Sequence, residues 1–153
     1  MDLNGILGVT VSGVRAEDRE AVLALIDACG LHTEDLTAPM LRDFLVARKG
    51  GNLAGVVGIE ICGGDALLRS LAVSEKYRGQ GVGRKLADSV EKAARACGVK
   101  TLYLLTLTAE DFFEGRGYEK IDRDRAPERV RATAEFSRFC PSSAVCMRKA
   151  IDG

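Results

Sequence analysis

Leu68-Arg69-Ser70-Leu71-Ala72-Val73, followed by Tyr77-Arg78-Gly79-Gln80-Gly81-Val82-Gly83, is the stretch on which the reading of the fold turns. The first six residues form an apolar run of strand type, interrupted by one arginine and one serine. Three glycines then fall at 79, 81 and 83. Val82, Leu86, Val90, Ala93 and Cys97 follow on one stripe of an amphipathic helix that Gly98 ends. A strand passing through a glycine turn into a helix exposes consecutive backbone N–H groups. They lie where the aligned peptide dipoles sum to roughly half a positive charge. The turn therefore reads as an anion cradle. It is not a dinucleotide fingerprint, because G-x-G-x-x-G would need glycine where Arg84 stands. Nor is it a Walker A loop, since Arg78 and Arg84 occupy its first glycine and its lysine.

Working outward, Leu7, Val9 and Val11 alternate as a first strand ending near Val14. Residues 16–29 carry Val22, Leu25, Ile26 and Cys29 at helical spacing, and Gly30 stops the helix. Residues 31–42 read as a loop with a short second helix interrupted by Pro39. Three apolar runs, 44–48, 53–62 and 66–73, are separated by the turns Gly50-Gly51-Asn52 and Gly63-Gly64-Asp65, which predicts an antiparallel meander. Beyond the glycine-rich turn and its helix, residues 101–107 read as a buried strand. Thr108-Ala109-Glu110-Asp111 resembles a capping box opening a short helix through Phe112 and Phe113, which ends at Gly115 or Gly117. Strands at 118–121 and 144–148 flank a helix over 127–134. The order predicts a single α+β domain over residues 1–153.

Composition sets the outer bounds. With 153 residues, 46% of them hydrophobic and 29% charged, the chain can build one core and keep a solvated surface. Lys plus Arg and Asp plus Glu both number 22. That balance gives no overall pull toward nucleic acid or an anionic membrane. The uncharged opening from Leu3 to Val14 lacks the basic start and small-residue cleavage site of a signal peptide, and no run approaches the ~20 apolar residues of a membrane span. Cys29, Cys62, Cys97, Cys140 and Cys146 are odd in number and scattered, which predicts reduced thiols in a cytoplasmic protein. Cys140 and Cys146, separated by Pro141, read as small buried hydrophobes rather than a thiol pair. His32 is the only histidine and reads as a surface or capping residue; no metal site is expected.

The spacing R-x-x-G-x-G at Arg78, Gly81 and Gly83, with its flanking strand and helix, resembles the GCN5-related N-acetyltransferase superfamily. Ala109-Glu110-Asp111-Phe112-Phe113-Glu114-Gly115-Arg116-Gly117-Tyr118 resembles that family's A-x-x-F-Y-x-x-x-G-F segment. The "TAEDFF" stretch and the tail from Ala126 to Met147 are similar to the arsenic-resistance branch and, more distantly, to N-acetylglutamate synthase-like proteins. The resemblance implies a mixed, mostly antiparallel central sheet flanked by helices, acetyl-CoA as cosubstrate, a small amine as acceptor, and a homodimer. It also implies that the backbones of Leu71, Ala72 and Val73 hold the pantetheine arm, and that Arg78, Gly79, Gln80, Gly81, Val82, Gly83 and Arg84 hold the diphosphate. Phe113 would line the same coenzyme.

Candidate residues follow from the chemistry of acetyl transfer, which needs a neutral amine, a polarised thioester and a proton route. An N–H near Val73 can stabilise the oxygen on which charge develops. Glu60, a lone charge in Gly58-Ile59-Glu60-Ile61-Cys62, can act as general base through water, or be an outward strand residue. Arg69 can clamp an acceptor carboxylate or an arsenical oxyanion, or be a surface strand arginine or a partner for Glu60. Ser70 and Arg131 are further acceptor-site candidates. The family's usual proton-donating tyrosine is Phe113 here, and a phenyl ring donates no proton. Tyr103, Thr106 and Thr108 are the substitutes to consider. That departure keeps open a coenzyme-binding module without turnover, and a protein-directed acetyltransferase is a third reading.

Overall fold

The computed structural model describes residues 8–139 and 141–152. Leu7 and Cys140, and with them the expectations placed on them, lie outside the described residues. Seven strands are β1 (Val9–Gly13), β2 (Leu45–Lys49), β3 (Asn52–Cys62), β4 (Asp65–Val73), β5 (Thr101–Thr106), β6 (Glu119–Ile121) and β7 (Val145–Ala150). They form one sheet in the order β1-β2-β3-β4-β5-β7-β6. The β1/β2, β2/β3, β5/β7 and β6/β7 pairs are antiparallel. The β4/β5 pair is parallel, with Asp65–Leu67 opposite Thr101–Tyr103. The helices are α1 (Arg19–Ala28), α2 (Ala38–Leu41), α3 (Val82–Ala96), α4 (Glu110–Glu114) and α5 (Glu128–Arg131). No helix among the described residues is long and apolar enough to cross a membrane.

The chain divides into two compact units, Met1–Ile59 with Ser70–Lys92, and Glu60–Arg69 with Ala93–Gly153. In the first, α1 buries Val22 and Ile26 against Leu41, Phe44, Val46, Val56 and Ala72. The β2/β3 register slips between Ala47 and Arg48, so that Ala47 faces Gly55 and Arg48 faces Leu53. Gly55 lies where α3 approaches the sheet: a Cβ placed on it would be 2.8 Å from Leu86 Cδ1, 3.0 Å from the Ala72 carbonyl oxygen and 3.1 Å from Val82 Cγ1. The absent side chain is what admits the helix. Val82, Leu86, Ala87, Val90 and Ala94 of α3 are buried, whereas Ala93 is half-buried and Cys97 exposed. At 3.6 residues per turn the apolar stripe drifts to Ala94, and the helix has ended before Cys97.

The second unit closes around Leu67, Tyr103, Ile121, Ala126, Val130, Phe136 and Cys146. Two local expectations are corrected here. Thr108 does not cap α4: the N-cap is Ala109, without a side-chain cap, and its N–H donates to Thr106 Oγ1 at 2.9 Å, while Thr108 is exposed. The helix expected over 127–134 is only the four residues of α5, followed by a π-helical segment, Glu135–Phe139. The Thr133 hydroxyl donates back to the Val130 carbonyl at 2.7 Å, an alternative partner that competes with a continued helical ladder.

Candidate active site

Within the first unit, β4 ends at Val73, whose carbonyl accepts from Arg78 Nε at 3.1 Å and from the Cys29 thiol at 3.7 Å. A 3₁₀ turn, Glu75–Tyr77, leads into the glycines. Gly79 and Gly81 have φ of +77° and +85°, a left-handed conformation that costs any L-residue with a Cβ. The Lys85 N–H bonds the Gly81 carbonyl at 3.1 Å and starts the ladder of α3. The amides of Val82, Gly83 and Arg84 precede that bond, so helix geometry gives them no intrahelical acceptor.

The side chains of the turn point elsewhere. Arg78 lies back on Val73, Gln80 donates to the Lys76 carbonyl and accepts from Lys49 Nζ, and Lys85 Nζ reaches the Val9 carbonyl. No acidic side chain occupies the first turn of α3. A Cβ on Gly79 would meet nothing within 4 Å, so the space beside that residue is open. A fifteen-residue helix with bare amides and an uncompensated positive end fits a diphosphate.

Within the second unit lies a buried ionic cluster. Arg69 on β4 is 2% exposed; its Nη1 bonds Glu60 Oε2 at 2.8 Å, and its Nε lies 3.6 Å from Glu135 Oε1. Glu60 is half-buried, near the end of β3, and Glu135 is buried at the start of the π-helical segment. A buried guanidinium keeps its charge and its desolvation is offset by paired carboxylates. Of the readings open from sequence, burial removes the surface strand arginine, and the pairing with Glu60 is observed. Glu135 was not singled out there, and only its place in the fold brings it to Arg69.

Ser70, beside Arg69, is buried with φ +58° and is the only non-glycine of positive φ among the described residues. Such a residue inside a strand re-aims its neighbours and marks a functional region more often than an ordinary one. Arg131 ends α5, exposed, with Nε donating to the Ala126 carbonyl at 2.9 Å. His32 is half-buried, with Nδ1 3.4 Å from Glu34.

Phe113 is buried, edge-on to Phe112 at 5.0 Å and to Tyr118 at 5.3 Å between ring centres. Of the possible replacements for a tyrosine acid, Thr106 accepts the Ala109 amide. Tyr103 sits in the core; burial, and then the charge of Asp65, push its hydroxyl up despite Arg148, making it a poorer proton donor near neutrality.

The acetyltransferase (GNAT) domain model matches residues 41–120, just over half of the chain and inclusive of β4, the glycine turn and α3. The chain belongs to the GNAT acetyltransferase family. It is 35% identical over 91 residues to an uncharacterized N-acetyltransferase of Chlorobaculum tepidum, covering 59% of this chain and 58% of that one. It is 39% identical over 71 residues to the amino-acid acetyltransferase of Pseudomonas syringae pv. tomato, covering 46% of this chain and 16% of the relative. This GNAT chain thus spans less than two thirds of the length of either. In fold it is similar to N-acetylglutamate synthase from Neisseria gonorrhoeae, crystallised with coenzyme A and N-acetyl-glutamate. The TM-score is 0.83 at 20% identity, covering 94% of this chain and 35% of that one. The mixed sheet implied by the sequence resemblance is the observed one.

Proposed function

We propose that this GNAT chain is an acetyl-CoA-dependent N-acetyltransferase acting on the amine of a small, amino-acid-like acceptor. The mouth of α3 carries the reading, because a bare-amide helix terminus with left-handed Gly79 and Gly81 suits the diphosphate of the coenzyme. The coenzyme supplies the acetyl group as a thioester. Leu71, Ala72 and Val73 border the pantetheine arm, with the Val73 N–H facing the oxygen on which negative charge develops. Glu60 takes a proton from the acceptor's ammonium through water, leaving the amine free to attack. The C–N bond forms, the C–S bond breaks, and the nitrogen releases its remaining extra proton to water to leave the amide. With Phe113 in the tyrosine position the departing thiolate takes its proton from solvent, which is open to a thiol of pKa about 8.5.

The amino-acid-like acceptor is supported by the relatives named amino-acid acetyltransferase. Arsenic-containing amino acids are one subset of that class, in line with the resemblance of the tail to the arsenic-resistance branch. Arg69 and Ser70 adjoin Glu60 or the coenzyme strand, and Arg131 is the exposed cation of α5; these are the acceptor-side residues of the proposal. The working state we propose is a homodimer in the cytoplasm.

A thiol-release assay with acetyl-CoA and a panel of amino acids, diamines, arsenic-containing amino acids and lysine peptides tests the reading. Turnover on a free amino acid is the expected result. Coenzyme binding with no thiol release on any amine would instead favour a binding module, the alternative that Phe113 keeps in view.

A further inference from the structure

The end of α1 meets the end of β4 at a thiol. Cys29 closes α1, its N–H shared between the Leu25 and Ile26 carbonyls at 3.2 Å each, and Gly30 at φ +76° turns the chain away. The Cys29 side chain is half-buried and packs on the core cluster around Ile26 and Phe44, so the sulfur has a fixed place. From there the thiol donates to the Val73 carbonyl at 3.7 Å and accepts from Arg78 Nη2 at 3.5 Å. Arg78 Nε closes the triangle on the same carbonyl at 3.1 Å. The other side of the Val73–Ser74 peptide is held too, since the Ser74 N–H donates to the Ala54 carbonyl of β3 at 2.8 Å.

Arg78 is the opposite case. It is exposed, immediately before Gly79, and a long side chain in that position loses much rotamer freedom when held in one geometry. Its two hydrogen-bond partners among the described residues, a carbonyl and a thiol, are both uncharged. A carboxylate in place of the thiol would grip the guanidinium harder and cancel its charge. A thiol offers one weak donor and one weak acceptor, and this site uses both. Arg78 is thus kept back from the bare amides of Val82, Gly83 and Arg84, with its positive charge retained at the turn that opens α3.

We propose that Cys29 is a positioning residue for coenzyme binding: its thiol, anchored by α1, tethers the Arg78 guanidinium to the end of β4 and so pre-organises the glycine turn for the diphosphate. The inference rests on the reading of the α3 mouth as the diphosphate site. Without the thiol, Arg78 keeps only the Val73 carbonyl, and its side chain samples more orientations, some of them across the bare amides. Coenzyme binding must then order or displace it, a cost that the tethered form has already met in folding. Because Cys29 acts through Arg78, its effect on affinity must disappear when Arg78 is removed.

The test is a double-mutant cycle on coenzyme A affinity, measured by calorimetry on the full chain for wild type, Cys29→Val, Arg78→Ala and the double variant. Valine fills the place of the thiol without its donor or acceptor, and Cys29→Ala serves if valine overfills it. Cys29→Val should bind coenzyme A roughly three- to tenfold more weakly, the range of one modest hydrogen bond. In the Arg78→Ala background the same substitution should change affinity by less than about twofold, because its partner has gone. Cys29→Ser, which keeps a donor and an acceptor, should lie closer to wild type than to Cys29→Val. A role in packing alone would weaken binding equally in both backgrounds. That result overturns the proposal, as does wild-type or tighter binding in Cys29→Val. No heat with wild type defeats the reading of the α3 mouth itself, and the proposal falls with it.

Discussion

Replacing Gly55 by alanine adds one methyl group at the point where α3 rests on the sheet, behind the candidate coenzyme site rather than in it. The new Cβ would lie 2.8 Å from Leu86 Cδ1, 3.0 Å from the Ala72 carbonyl oxygen and 3.1 Å from Val82 Cγ1. Leu86 can rotate, but the Ala72 carbonyl belongs to the coenzyme strand, and Val82 is the first residue of α3. The strain is therefore divided between the strand proposed to hold pantetheine and the helix mouth proposed to hold the diphosphate. Overpacking of this kind costs about 1–3 kcal/mol, and removing a glycine from a strand interior returns roughly 0.5–1 kcal/mol. A net loss of about 1–2 kcal/mol lowers the Tm of a chain this size by roughly 3–6 °C. Coenzyme A should bind about three- to tenfold more weakly, equivalent to ~0.7–1.4 kcal/mol. Thermal unfolding and isothermal calorimetry on the same samples measure both. Gly13→Ala is the control, since its Cβ meets nothing within 4 Å. Wild-type Tm together with wild-type affinity in Gly55→Ala would refute the claim that this packing sets the position of the helix mouth.

Glu60→Gln should lower kcat by roughly 100-fold with little change in KM for acetyl-CoA, as expected for loss of a general base, and steady-state kinetics at saturating acceptor reads it. Asp18 gives a pH signature of stability. Burial alone would raise its carboxyl, but the Arg48 guanidinium and the Arg15 N–H at 2.8 Å hold it below the usual value. A carboxyl depressed in the folded state stabilises the fold above its unfolded pKa of about 3.9 and loses that contribution as pH falls through its folded value. Tm should consequently drop more steeply below about pH 4 in wild type than in Asp18→Asn, and parallel curves would count against the pair. Burial pushes the Cys146 thiol up to about 11 despite Arg123 and Arg148. Iodoacetamide at pH 8 should therefore label exposed Cys97 rapidly and Cys146 only after unfolding, as mass spectrometry of peptides would show.

The strand, turn and helix around residues 68–97 were legible because each is a local device. Glycines at fixed positions, an apolar run and a 3.6-residue stripe need no tertiary partner to be read. The strand limits around Gly50-Gly51 and Gly63-Gly64 were legible for the same reason. The capping pattern misled because Thr108-x-x-Asp111 satisfies the motif on paper, while α4 begins at Glu110 behind Ala109, whose N–H donates to Thr106. The break after α5 depends on a Thr133 hydroxyl choosing a backbone carbonyl, a competition that helical propensity does not record. Arg69 was visible as an anomaly and Glu60 as a candidate, yet their common partner was not. Glu135 lies far along the chain, on a segment whose course is fixed by Arg123 and Phe136. The left-handed Ser70 was equally hidden, since serine has no sequence signal for φ +58°.

Calorimetric titration of coenzyme A into wild type and Gly81→Glu tests the central claim most directly. A glutamate at φ +85° forces a side chain and a negative charge onto the helix mouth, against the place assigned to the diphosphate. Saturable heat with wild type and none with the folded variant is the predicted result. Equal affinity for both, or no heat with wild type, would contradict the account.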